Sequence, residues 1–196
     1  MTDSDEHLHS QTVGSNPRRR RDPAAQWVID AYREHFRYTW ALVGRLGVPS
    51  SHIEDVVQEI FIVLHRRRHD FRNESSVKTW LHGIALRVAR RHRGRIQRGE
   101  LDPLPPDARS KAPSIEARVA GRAQLARLDA LLDQLPDAQR EVFVLAEVAQ
   151  LRAPEIAQVM GIKLNTVYSR LRLARGRMKA SLEAMRSADT EAHGAA

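Results

Sequence analysis

The chain contains no cysteine. That excludes disulfides, thiolate metal sites and cysteine nucleophiles, and nothing in the composition argues for an oxidising compartment. Aromatic residues make up only 5% of the chain, so its cores must be built mainly from aliphatic side chains. Lysine is scarce: it stands only at positions 78, 111, 163 and 179, and arginine supplies nearly all of the 32 basic residues. No apolar run is long enough to span a bilayer, and residues 1–21, MTDSDEHLHSQTVGSNPRRRR, lack the apolar stretch of a signal peptide. A cytoplasmic protein without membrane insertion is the expectation. Signatures of chemistry are missing too. There is no Gly-rich loop ending in Lys, no HExxH pair, and the nine histidines are scattered, with His7 and His9 in a polar arm and His65, His69 and His92 among arginines. No cofactor, no metal and no catalytic residue is expected, and the chain is read as a non-enzyme.

What remains is positive charge on a helical pattern. The 196 residues carry a net charge of +8. Guanidinium forks suit phosphates and guanine edges, so an arginine-borne excess points to nucleic acid. Residues 1–24 are polar and without periodicity and read as a disordered basic arm. From Ala25, Trp27, Val28, Ala31, Tyr32, His35, Phe36, Trp40 and Val43 recur at helical spacing. Gly44 and Gly47-Val48-Pro49 close that helix. The next is expected to open on a Ser51–Glu54 capping box and run to about Arg68. A third begins near Val77 and runs to about Arg98. Pro103, Pro105, Pro106 and Pro113 mark a linker. Leu125, Leu128, Leu131, Leu132 and Leu135 restart the helical pattern, Pro136 opens another helix, and the last is expected from about Leu164 to about Met185 with a frayed tail beyond. No strand alternation occurs. The fold class is all-α, with two small helical domains joined by a flexible Pro-rich linker. The divisions are 1–24 arm, 25–98 first domain, 99–122 linker, 123–185 second domain and 186–196 tail.

The most informative stretch is residues 153–178, APEIAQVMGIKLNTVYSRLRLARGRM. It reads as helix, tight turn, helix. Pro154 suits a first helical turn and Gly161 a helix end. On a wheel, Leu164, Val167, Leu171, Ala174 and Met178 form an apolar stripe, while Asn165, Tyr168, Ser169 and Arg172 share a different face. Asn pairs with adenine and Arg with guanine in the major groove. Thr166, Arg170 and Arg175 flank that face; basic side chains around it reach phosphates, which position a helix without reading sequence. This is how a helix-turn-helix enters a DNA groove.

The first domain has two further surfaces. On the second helix, Val56, Ile60, Val63 and Leu64 read as core, leaving Asp55, Gln58, Glu59 and Ile62 on an acidic, amide-rich face. Such a face is unsuited to DNA and suits a basic helical protein partner. The third helix reverses the sign, with Lys78 and His82, which its helical phase places toward solvent, then Arg87, Arg90, Arg91, Arg93, Arg95 and Arg98 beside the polar loop of residues 71–76. A basic helix beside such a loop suits a single strand with an unstacked base. Trp80 reads as core.

Asp55-Val56-Val57-Gln58-Glu59-Ile60-Phe61, then Val77-Lys78-Thr79-Trp80-Leu81, then Leu135-Pro136-Asp137-Ala138-Gln139-Arg140-Glu141-Val142-Phe143 ahead of the helix-turn-helix, resemble a bacterial extracytoplasmic-function (ECF) sigma factor. Residues 25–98 resemble the family's region two and residues 125–182 its region four. The resemblance implies that Asp55, Gln58, Glu59 and Ile62 dock on the clamp helices of the largest subunit of core RNA polymerase. It implies that Phe71, Asn73, Lys78, His82, Arg87, Arg90 and Arg91 meet the minus-ten promoter DNA as it opens. Asn165, Thr166, Tyr168, Ser169, Arg170, Arg172 and Arg175 are then the minus-thirty-five reading set. The partners it implies are core RNA polymerase, promoter DNA and an anti-sigma factor wedged between the two domains. The chain departs from the family pattern at His82, Gly83, Leu86 and Arg87 on the third helix, and at Lys163 and Tyr168 on the last.

Overall fold

The computed structural model describes residues 23–71, 76–101 and 119–194. The expected arm up to residue 22, Asn73 and most of the expected linker lie outside the described residues. Among the described residues the secondary structure is helical, with no strand. Seven α-helices follow one another: α1 Pro23–Arg45, α2 Ile53–Arg66, α3 Val77–Gln97, α4 Val119–Asp133, α5 Asp137–Phe143, α6 Ala153–Met160 and α7 Leu164–Gly194.

Helices α1, α2 and α3 pack on each other through aliphatic stripes. Leu42 and Val43 of α1 and Leu46 just after it join Val56, Ile60 and Leu64 of α2 and Leu81, Ile84 and Ala85 of α3 in one cluster, all nearly or fully buried. Each Leu or Ile so buried contributes about 1.5–3 kcal/mol before entropy is counted. The α1–α2 connection turns at Gly47, whose φ of +86° disfavours a Cβ. The expected Ser51 capping box does not form. Residues Ser50–His52 already make a 3-10 turn, so the chain is helical before Ser51 can cap it, and α2 begins without a side-chain cap. By contrast, α3 is capped as a serine should cap a helix: Ser76 Oγ accepts the Thr79 N–H at 3.1 Å.

In the C-terminal half α5 runs into a π-type turn, Val144–Val148, whose wide ring is closed by Ala149 N–H donating to Val144 O at 2.9 Å. The chain then reverses through Gln150 at φ +60°. Glu155 reaches back to accept the Arg152 N–H at 2.8 Å at the start of α6. Gly161, in the left-handed conformation, ends α6, and Ile162 N–H bonds to Ala157 O at 3.1 Å. Lys163 O then accepts the first amides of α7, from Thr166 and Val167. Val167, Leu171 and Ala174 bury the inner face of α7 beside Ile156 of α6. Helix α7 does not end near Met185; it continues to Gly194. Ser181, past the DNA-reading part, donates to Gln134 Oε1 at 2.7 Å and so ties α7 to the end of α4.

The two halves are in contact. Helix α6 packs across α3, and the buried apolar residues of both halves form one continuous cluster. Polar contacts join them as well. Arg93 Nη2 of α3 donates to Glu141 Oε1 of α5 at 2.7 Å, and a Cβ at Gly47 would collide with the Arg140 guanidinium of α5. Glycine at 47 therefore serves both the turn and the close approach of the second half.

Candidate nucleic-acid and partner interfaces

Asp55, Gln58 and Ile62 stand exposed on one side of α2, while Val56, Val57, Ile60, Phe61 and Leu64 anchor the other. Ile62, the apolar member of that face, is 43% exposed. Glu59 is not free: it is ion-paired with Arg91 of α3. The fold thus joins a residue of the expected polymerase set to one of the expected minus-ten set.

Helix α3 distributes its cations unequally. Lys78 lies over the Tyr38 ring, 4.5 Å from its centroid, and Arg87 is exposed. The Arg87 guanidinium is held below its usual pKa, first by desolvation and second by neighbouring Arg67, an electrostatic situation that an anion relieves. Phe71 packs in a trio of rings with Trp27 and Trp80, at centroid distances of 5.7 and 5.4 Å. Trp80 is half-buried within that trio, as a core residue.

His82 is a correction. It was expected on the DNA face, but it is only 1% exposed, with Nε2 2.7 Å from Tyr38 Oη. Residues 81–86 are all buried, because α1 and α2 cover one side of α3 and α6 crosses another. A helix covered on two sides has no solvent phase at that level. Burial, then Lys78 and His35, lowers the His82 pKa to about 4, and burial pushes Tyr38 up to about 12. The imidazole is therefore neutral in the folded chain at pH 5–7. The unfolded chain takes up this proton as pH falls through 6.5, whereas the folded chain resists until about 4. Stability from this group is thus present above pH 6.5 and lost between 6.5 and 4, by up to about 3 kcal/mol. Urea unfolding across that range is expected to show the loss, and His82→Phe is expected to flatten it. An equal slope in the variant would assign the loss elsewhere.

The second-half surface is more open. Asn165, Tyr168, Ser169 and Arg172 are exposed together on α7, and Tyr168 is 54% exposed. Thr166 is half-buried, its carbonyl accepting from Ser169 Oγ at 3.1 Å. Arg175 is held by Glu147 through Nε and Nη2 at 2.9 and 2.7 Å. Arg170 is half-buried and lines a cleft of about 450 Å³ between the halves, shared with Arg90, Arg93 and Gln97 of α3 and Asp137 and Glu141 of α5.

Sequence reasoning missed that cleft's central residue. Glu141 has a side chain only 4% exposed and accepts from Arg90 Nε at 3.0 Å, Arg90 Nη2 at 2.6 Å and Arg93 Nη2 at 2.7 Å. The hydrogen bond to Glu141 raises the Arg90 pKa. No local pattern pairs residue 141 with residues 90 and 93. A charged residue beside Val142 on a short helix reads as solvated until the opposing half is in place.

A family model described as Sigma-70 region 2 matches residues 31–99, and one described as Sigma-70, region 4 matches residues 125–178. The chain is similar to RNA polymerase sigma factor CnrH of Cupriavidus metallidurans, 32% identical over 155 residues that cover 74% of this chain and 78% of that protein. It is also similar to the ECF RNA polymerase sigma-E factor of Escherichia coli strain K12, 31% identical over 147 residues, 69% of this chain and 75% of that one. Among solved structures, CnrH in complex with the cytosolic domain of CnrY superposes with a TM-score of 0.60 at 26% identity, covering 82% of this chain and 95% of that chain.

Proposed function

The chain belongs to the ECF family of RNA polymerase sigma factors, and we propose that its three surfaces divide that work among named residues. As a sigma factor it directs core RNA polymerase to promoters and starts transcription there. Asp55, Gln58 and Ile62 of α2 form the docking face for the clamp helices of the largest subunit, with Glu59 contributing from its pair with Arg91. Lys78, Arg87, Arg90 and Arg91 of α3 follow the minus-ten strand, joined by Phe71 and Asn73, which precede that helix in sequence. Asn165, Thr166, Tyr168, Ser169, Arg170, Arg172 and Arg175 of α7 serve the minus-thirty-five element. The division into a 25–98 docking and melting domain and a 123–185 reading domain follows from these assignments.

The observation that carries this reading is the face of α7. Four side chains of base-reading type are exposed at i, i+3, i+4 and i+7, directly behind a fully buried stripe. A rigid helix that shows Asn, Tyr, Ser and Arg outward is built to enter a major groove. Two such weak contacts, held at fixed spacing by polymerase, act as one bivalent site. Unpairing at the minus-ten element is offset by backbone contacts and by capture of the extruded base. The chain itself supplies no catalytic group in this scheme; it redirects the polymerase's chemistry, in the cytoplasm.

CnrH, which is similar to this chain, is solved in complex with the cytosolic domain of CnrY. For this protein we propose a protein partner of the anti-sigma kind. A groove of about 710 Å³ between the end of α1 and α4, lined by Trp40, Val48, Ile53, Leu125 and Leu132 with Arg45 and Asp129 at its edge, supports the extension.

Arg172→Ala is expected to weaken upstream-element reading by about 1–3 kcal/mol. The check is transcription in vitro from a promoter and from variants altered one base at a time upstream. A loss confined to one base position makes Arg172 a base reader. A uniform loss makes it a phosphate contact.

A further inference from the structure

We propose that Arg90 and Arg93 form a phosphodiester-binding site on α3 that the closed chain covers with its own Glu141, so that a carboxylate of the second half and a DNA backbone compete for the same guanidinium groups. The inference rests on the sigma-factor reading and adds a site and a mode of regulation to it.

The geometry is that of anion recognition. Glu141 receives a two-pronged contact from Arg90 and a third hydrogen bond from Arg93, at 2.6–3.0 Å. Two guanidinium groups converging on one pair of oxygens are the arrangement that phosphate oxygens take up equally well. The site is set in place by the first half alone. Arg93 is anchored through Nη1 to Leu46 O, on the α1–α2 connection, so it stays aimed when α5 departs. The site is also short of acceptors in its closed form: Arg93 Nε is buried without a hydrogen-bond partner. Glu141 offers two oxygens and Asp137 adds a longer ion pair, 3.5 Å from Arg93 Nη2, yet Nε keeps no acceptor. A phosphodiester brings further oxygens.

Position supports the same conclusion. Arg90 lies among the α3 cations assigned to the minus-ten strand and is 38% exposed toward the cleft, whereas Glu141 is buried. Arg170, half-buried on the reading helix, lines that cleft too. While the halves are closed, residues from both DNA-reading elements are turned toward each other. Opening the clasp with nothing to replace Glu141 exchanges a charge-assisted, two-pronged contact for water, which is unfavourable. Arrival of a DNA backbone removes that penalty. The closed chain therefore resists nonspecific DNA and yields when polymerase presents a promoter strand.

The test uses the full chain without polymerase and a fluorescein-labelled single-stranded 20-mer of mixed sequence, read by polarisation across a salt series. Glu141→Gln keeps the shape and removes the charge. Its affinity is expected to rise about tenfold, the factor by which a population nine-tenths closed masks a site. Its salt dependence is expected to steepen by about 0.7 in the log–log slope for each phosphate newly neutralised. Arg93→Ala added to Glu141→Gln is expected to abolish the gain. A second arm does not touch the clasp. Because the chain has no cysteine, Gly94→Cys with Ala138→Cys places two thiols at the cleft, and a bismaleimide joining them takes the open fraction to nearly zero and is expected to abolish binding at this site. Wild-type affinity and slope in a folded Glu141→Gln protein would overturn the proposal. If that variant melts early, unchanged affinity after cross-linking overturns it instead. The same preparations are assayed for promoter-directed transcription with core polymerase. Absence of defined starts with the unmodified chain contradicts the sigma reading itself, whereas defined starts with unmoved DNA affinities sink the clasp alone.

Discussion

Asp55→Arg combined with Gln58→Ala is expected to reduce affinity for core RNA polymerase about thirty- to a hundredfold, with the melting temperature little changed. Both side chains are exposed at i and i+3 on α2, on the side opposite the buried Val56, Ile60 and Leu64. Neither substitution enters the core, so stability should stay within about 0.5 kcal/mol. At a protein interface, removing an amide that bonds across it and reversing a charge opposite a basic partner together cost about 2–3 kcal/mol. Glu59 is a poorer choice for this experiment. It is paired with Arg91, so reversing its charge sets two cations together across α2 and α3 and confounds docking with local strain. Titration of labelled protein with core polymerase checks the expectation; affinity within twofold of the unmodified chain would remove this face from the docking surface.

The second large effect contrasts two positions on the same helix. Leu64 is fully buried, whereas Ile62 is 43% exposed. Leu64→Ala is expected to cost about 2–5 kcal/mol of stability, the sum of lost transfer energy and an unfilled cavity. Ile62→Ala is expected to leave stability nearly unchanged and to weaken polymerase binding. Chemical unfolding and polymerase titration of both variants should therefore give opposite orders of damage. The same order in both assays would mean that α2 has no partner-facing side.

The elements most legible in the sequence were those whose determinants are local. Gly161 ends α6 because glycine takes the left-handed cap at φ +66° without a Cβ penalty, and Pro154 sits where an amide is dispensable. The stripe of Val167, Leu171 and Ala174 fixed the orientation of α7, and with it the exposed face of Asn165, Tyr168, Ser169 and Arg172. Residues misjudged were those governed by the meeting of distant segments. Helical phase put His82 toward solvent, but a helix packed on two sides has no such side at that level. Ser51 has the spacing of a cap, yet Pro49 and the following 3-10 turn begin the helical path earlier. The extension of α7 to Gly194 is accompanied by a tie to α4 at Ser181 that the tail's own composition does not announce. Glu141 is the clearest instance, since its partners lie 51 and 48 residues away. Long-range ion pairs leave no periodic trace in one sequence.

In the proposed scheme this chain gives core RNA polymerase a promoter preference by means of α2, α3 and α7 acting together. The most direct measurement is transcription in vitro from a genomic fragment library, using the purified chain with bacterial core polymerase and mapping every RNA 5′ end by sequencing. Discrete new starts that share two motifs at fixed spacing are expected, lost with Asp55→Arg/Gln58→Ala and shifted in upstream preference with Arg172→Ala. No starts beyond those of core polymerase alone, together with tight binding of the isolated chain to duplex DNA, would contradict it.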